Sequence, residues 1–425
     1  MLLSSSRSHS PTRWLSVFVI SAVLLSGCSS SDDSVGESDG TDSGSDGGMD
    51  GGTDGGSTDG STDGTGGSSS FAFVSAATPT FDAGQIERFT LGETIAAAGA
   101  YPATLSDITV RTNGSDVFQV GRLDLESITR YTTEELTTPV YQYSVLNEET
   151  APNTYDIVFA SATKAYVLQY ESSNILIVNP SASSEAEFIT GSIDISAYDE
   201  DAPNATSGVI ANGKLFVLLQ RLTGFNPVNP GYVAVFDVET DAEISTGMNS
   251  EGLNGIALTS LNPDTLQYVA SSNDILVNGR GNINVVFNEL PGDPYMGGVE
   301  IIDADSYVRD LLVDDGTETD NDGFFFASIQ AGDTRGYVIT SVGYQDNTLR
   351  SYNVATGLLE DGAVAGLESM DLTGLAIGPS GNLWVGIGGI EPGYLRINPE
   401  DNSLVGEKVD TEFVPNHIVF VDGGS

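Results

Sequence analysis

The sequence predicts an all-β chain: a seven-bladed β-propeller, closed by N- and C-terminal strands in one blade and preceded by a disordered tether. Three observations predict it. First, Lys164 to Ser245 holds one pattern twice: a branched and aromatic strand run, a turn, a second run, then a shorter strand. Strand runs spaced by turn residues read as antiparallel sheet, and their recurrence reads as a repeat. Second, small apolar strands preceded by a polar residue recur about every 45–50 residues, which is blade spacing. They begin at Ser106, Tyr155, Ser207, Asn254, Gly323, Thr373 and Asn416. Third, the two ends complete each other. NHIVFV (416–421) has no outer strands after it, and FAFVSA (71–76) has no inner strand before it. Pairing them makes one blade and removes the free sheet edges.

In chain order, residues 1–27 read as an export signal. Arg7 and Arg13 precede a short apolar run, Trp14 to Leu25, too short for a stable span. Leu25-Ser26-Gly27-Cys28 resembles the lipobox of bacterial lipoproteins. That resemblance implies cleavage before Cys28 and acylation of its thiol and amine, hence a lipid bilayer as a partner. Ser29 in place of Asp implies the outer membrane. Cys28 is the only cysteine, so no intrachain disulfide forms. Residues 28–70 are almost wholly Ser, Asp, Gly and Thr. With nothing to bury, they read as a tether spanning on the order of 35 Å, extended further by like charges.

Residues 71–425 form the propeller. After each start an outer pair recurs, as in AYVLQY then ILIVNP, LFVLLQ then YVAVFD, and GYVITSV then LRSYNV. For the blade starting at Asn254 the pair reads LQYVAS then VEIID, with Gly279 to Gly297 as an insertion. Ala165-Tyr166-Val167, Asn174 to Pro180 and Tyr232 to Asp237 carry a resemblance to seven-bladed YVTN-type propellers. The chain also looks like surface lipoprotein propellers that capture cobalamin and pass it to a membrane transporter. That likeness rests on anchor, tether and propeller, with no ligand motif to match, and propellers host many activities.

Composition limits the chemistry. The chain has 60 acidic and 15 basic residues, and the signal would remove two of the basic ones. Nucleic acid and anionic lipid surfaces are excluded as partners for such a surface. Cations or a basic protein patch fit it, as does the plain role of an acidic, solubilising coat. His9 leaves with the signal, so a Ser-His-Asp triad could use only His417. His- or Cys-built zinc and copper sites lack ligands, and no glycine loop opens a phosphate-binding helix.

Oxygen chemistry remains. Inner strands of a propeller begin at one end of the channel, so Asp107, Asp156, Ser207, Asn254, Thr373 and Asn416 should converge there. Carboxylates and amides on a ring suit Ca²⁺ or a cationic group, with Asp107, Asp156, Asn254 and Asn416 as the metal ligands. The alternative is strand capping and channel water. Asp314 to Gly323 is a second carboxylate-dense loop, either calcium-wrapping or solvated. Loops joining second and third strands share that end of the propeller. They supply Arg221, Phe225, Asn226, Arg280, Asn282, Phe287, Tyr295 and Tyr344 as ligand-binding candidates, since scarce Arg and exposed rings favour recognition.

Three functions stay open. The chain is a non-catalytic outer-membrane lipoprotein whose loop-rich face binds a small-molecule ligand or docks a membrane protein. It is a Ca²⁺-dependent hydrolase or lactonase using Asp107 and Asp156. Or it is a structural or adhesive surface protein.

Overall fold

The computed structural model describes residues 70–422 except 148, 200, 225, 249–250, 288–292 and 344. Seven sheets form a propeller. Blade 1 contains Val414–Val421, Ser70–Ala77, Gly84–Leu91 and Ala96–Ala100, from the axis outward. Blades 2, 3 and 4 begin at the axis with Ile108–Thr112, Thr154–Ser161 and Ala205–Ala211. Blades 5, 6 and 7 begin with Pro263–Val269, Phe324–Gln330 and Leu372–Ile377. Blade 6 has three full strands, and the isolated bridges Asn347–Met370 and Tyr352–Leu359 extend its outer edge.

The ring closes as the ends of the chain required. Phe71 pairs with Val421 and Val74 with Ile418, antiparallel, with a register shift after Ser75. The shift falls beside Asn416, whose Oδ1 accepts from Ser75 Oγ and whose Nδ2 donates to the Ile108 carbonyl of blade 2 at 3.2 Å.

Alternating residues explain why these sheets need each other. Along Lys214–Leu219, Leu215, Val217 and Leu219 pack on blade 3, whereas Phe216 and Leu218 pack on blade 5. Both faces are apolar, so a blade alone would expose both of them. The seven hydrophobic clusters lie one at each blade–blade interface.

A polar clasp repeats at the strand ends. Lys164, Lys214 and Arg335 open the second strands of blades 3, 4 and 6. Each reaches the turn after the third strand of the next blade: Val238 O at 2.7 Å, Ala304 O at 2.9 Å and Pro399 O at 2.6 Å. Tyr166 Oη donates to Asp241 Oδ1 at 2.7 Å, and Tyr337 Oη to Asn402 Oδ1 at 2.8 Å. The turns hold their shape because Asp237, Asp303, Asn353 and Asn398 accept from backbone N–H groups two or three residues on. The Tyr-Val strand and the Asp/Asn turn of the repeat are thus two halves of one contact between neighbouring blades.

One start is corrected. Asn254 precedes Ile256–Leu261, which is the outermost strand of blade 4, not the inner strand of blade 5. The inner strand is Pro263–Val269 and its partner Asp274–Gly279, so LQYVAS belongs to the axis. Two strands of different blades meet across Asn262 alone, whose φ is 52°. So short a reversal leaves no turn signature in the sequence.

The second strands are almost fully buried, but Phe326 to Ile329 and Thr373 to Ile377 on inner strands are only half-buried. The inner strands therefore line a channel that water can enter. Among the described residues no helix is long and apolar enough to cross a membrane.

Two expected outcomes test this packing. Tyr166→Phe should lower stability by about 1 kcal/mol, read as a lower urea midpoint at unchanged slope. Deleting Val414–Val421 should abolish cooperative unfolding, because blade 1 loses the strand that completes both of its interfaces.

Candidate functional site

Inner strands begin, and second strands end, at the same mouth of the channel. Arg122 directly follows the second strand of blade 2, and Arg280 directly follows that of blade 5. Arg122 lies over the Tyr155 ring at 3.8 Å and faces Asp107 at 3.3 Å. Arg280 lies over the Phe326 ring at 4.8 Å, and its Nη2 bonds Asp264 at 2.7 Å. Each cation thus rests on one aromatic ring and meets one carboxylate.

Between the pairs runs a polar chain. Tyr155 stacks on Tyr170 at 5.2 Å, Tyr170 Oη donates to Gln220 Oε1 at 2.7 Å, and Gln220 Nε2 donates to Asn262 Oδ1 at 3.1 Å. This links blades 3, 4 and 5 along the mouth. Burial opposes the charge on Arg122, but Tyr155, Asp107 and Asp264 outweigh it and raise its pKa. Asp264 is therefore close enough for Arg122 to feel its charge. Burial raises the carboxyl of Asp107, with Arg122 opposing, and that of Asp371 at the start of the blade 7 inner strand. All four side chains of the two ion pairs keep some exposure, from 11% to 20%.

Of the expected ligand residues, Arg280 enters the mouth. In blade 4 Gln220 holds the equivalent position, and Arg221, one residue on, turns onto the Tyr232 ring at 4.8 Å and donates to Tyr198 O at 2.9 Å. Asn226 and Asn282 come together: Asn282 Nδ2 donates to Pro227 O at 3.4 Å, and Asn284 Nδ2 to Asn226 Oδ1 at 3.3 Å. The loops of blades 4 and 5 therefore form one rim. Tyr295 stacks on Phe324 at 5.3 Å. Phe287 ends the short helix Ile283–Phe287. Phe225, Tyr344 and the lipidation site Cys28 lie outside the described residues.

The four expected metal ligands do not gather. Asn254 sits on the outer edge of blade 4 and donates to Glu243 at 2.7 Å. Asp156 accepts from Arg111 Nε at 2.6 Å, Asp107 faces Arg122, and Asn416 ties blade 1 to blade 2. Among the described residues no three of His, Cys, Asp or Glu lie close enough to hold a metal ion. The acidic loop 314–323 contains the small hairpin Gly316–Thr317 with Asp320–Asn321, and Asp322 pairs with Arg350.

Inside that loop Asp315 is only 2% exposed. Its Oδ2 accepts from Gly297 N at 2.9 Å, and its Oδ1 has no partner. A Cβ on Gly281 or Gly297 would come within 3.2 or 2.8 Å of Oδ2, so glycine is required for the insertion to close over it. Burial pushes this carboxyl up to about 7.

Arg122, Tyr155, Tyr170, Gln220, Asn262 and Asp264 were absent from the sequence expectation. One signal was present: Gly-Arg closes two second strands, in DVFQVGR and DILVNGR.

Neither a protein-family profile nor a curated protein sequence matches this chain. Solved structures share its fold. A protein from Lactobacillus plantarum is 12% identical over 83% of this chain and 100% of its own, with a TM-score of 0.57. The periplasmic gluconolactonase of Pseudomonas aeruginosa is 14% identical over 84% and 100%, at 0.56. Apo AztD from Citrobacter koseri is 10% identical over 84% and 98%, at 0.50. At these identities the likeness establishes a propeller and nothing finer.

Asp315 gives a pH signature. Its folded pKa lies above the ordinary 3.8, so between about pH 4 and pH 7 the folded chain holds a proton that the unfolded chain has lost. Stability contributed by this group is complete below that window, falls through it and is level above. Asp315→Asn should remove this part of the slope and be the more stable form at roughly pH 8, with the difference shrinking towards pH 4. Urea midpoints of both forms across that range measure it.

Proposed function

We propose that this chain is an exported, outer-membrane lipoprotein, anchored through Cys28, whose propeller captures a small oxygen-rich molecule at the channel mouth without reacting with it. One observation carries the binding reading: two guanidinium groups, each resting on an aromatic ring and meeting a carboxylate, stand at the same mouth of an otherwise strongly acidic chain. Planar donors of this kind recognise carboxylate and carbonyl oxygens, and rings beside them suit the faces of a sugar-sized molecule. No bound cation is needed, because Arg122 and Arg280 already supply the positive charge opposite Asp107 and Asp264. The anchor and its membrane rest on the Leu-Ser-Gly-Cys motif.

A second reading is lactone hydrolysis. The Pseudomonas neighbour is a gluconolactonase, and the raised carboxyl of Asp107 at the mouth is suited to proton transfer. In this reading Asp156 is a poor partner, because Arg111 and the Ile157 N–H hold it.

Calorimetric titration with sugar acids, sugars and their lactones tests both readings, alongside a hydrolysis assay on the lactones. Arg122→Gln and Arg280→Gln should each weaken binding by about tenfold or more, equivalent to about 1.4 kcal/mol. Turnover of a lactone that both variants abolish would replace the capture reading with the enzyme. If no member of the panel binds or reacts, the mouth is not a ligand site and the structural role stands.

A further inference from the structure

Below the mouth, the channel wall carries a second group of donors. Arg111 lies three residues beyond Ile108 on the blade 2 inner strand, on the order of 10 Å deeper. Its Nε bonds Asp156 at 2.6 Å, and its Nη1 donates to Thr109 Oγ1 at 3.2 Å and Val110 O at 2.9 Å. Asp156 is held in turn by the Ile157 N–H at 2.7 Å. Among the described residues Nη2 has no hydrogen-bond partner, and the Arg111 side chain is 25% exposed against 4% for Asp156. Since the inner strands line the channel, that exposure faces the channel.

His417 belongs to the neighbouring inner strand. It follows Asn416, which bonds the Ile108 carbonyl, so the inner strands of blades 1 and 2 place His417 and Arg111 in the same sector. The imidazole is half-buried, and no protein group among the described residues hydrogen-bonds it. Enclosure in the channel, and secondarily the charge on Arg111, keep it neutral. A neutral imidazole offers one N–H and one acceptor. A solitary core histidine would be expected to find a partner; here the ring is partly exposed on an inner strand.

We propose that the free edge of Arg111 and the imidazole N–H of His417 form a seat for one carboxylate at the floor of the ligand site. The ligand is then a small hydroxy acid that enters acid end first, with its hydroxyl-bearing body between the rings at the mouth. This rests on the mouth reading above for the body of the ligand, but not for the seat itself. Arg111 would bridge Asp156 on one edge and the ligand carboxylate on the other, a geometry that the five donors of guanidinium allow. An alcohol without the acid group would lose the charge-assisted bonds and bind more weakly.

Imidazole NMR of the ¹⁵N-labelled chain tests it. His9 and His417 are the only histidines, and His417→Gln assigns the signal. The probes are acetate, gluconate and sorbitol. Acetate fills the seat alone, so it should shift the His417 resonances saturably in wild type and equally when Arg122 and Arg280 are both changed to Gln. Gluconate should shift them at lower concentration than acetate, and sorbitol should leave them unmoved. Arg111→Lys and His417→Gln should each weaken gluconate by about tenfold, with folding checked by circular dichroism. Gluconate binding that depends on Arg122 and Arg280, with His417 unmoved, overturns the seat and keeps the mouth. A His417 shift with acetate but no extra affinity for gluconate keeps the seat and overturns the mouth. No shift with any probe overturns the seat.

Discussion

Each blade of this protein is apolar on both faces, so none can be stable except between two neighbours. That requirement drives the rest of the architecture. Burying both faces of every sheet, with no sheet left at the end of the row, demands a closed circle. Closing it demands that the last strand, Val414–Val421, lie beside the first, Ser70–Ala77. The alternation of Leu215, Val217 and Leu219 with Phe216 and Leu218 is the local form of the same constraint.

Closure also creates the site. Because every inner strand begins at the same end, groups from different blades meet there: Arg122 and Tyr155, Tyr170 and Gln220, Arg280 and Phe326. Cations are scarce in this acidic chain, and their placement is informative. Lys164, Lys214 and Arg335 serve the clasps between blades. Arg309 neutralises the fully buried Glu300 at 2.7 Å. Arg111, Arg122 and Arg280 instead stand on the inner strands and at the mouth, where they set positive edges that the acidic surface lacks. Acidic charge keeps the exterior solvated, while desolvation at the mouth strengthens each remaining donor.

The blade 4 to blade 5 junction shows how local signals mislead. IALTSL and PDTLQYV both read as strand, and only Asn262 separates them. Assigning the first to the axis carried Asn254 with it into a ring of candidate ligands. Propeller geometry puts that residue on an outer edge instead, bonded to Glu243. Asp156 and Asn416 are on inner strands as expected, yet each is occupied in tying one blade to the next. The polar residue that opens an inner strand is here mainly a joint between blades.

The sequence by itself determined the all-β class, the number of blades and the closure of the ring. These depend on periodicity and on unpaired ends, and both are written in the order of residues. It also named Arg280 as a candidate and set the loops that carry Asn226 and Asn282 at one end of the propeller. Folding in three dimensions set Arg221 on Tyr232 and Tyr198 and Arg280 on Phe326 and Asp264, and brought Arg122 and Arg280 to one mouth. It alone placed Asp315 where burial raises its carboxyl, and His417 within reach of the charge on Arg111. Those outcomes depend on distances between strands from different blades, and such distances exist only once the circle has closed.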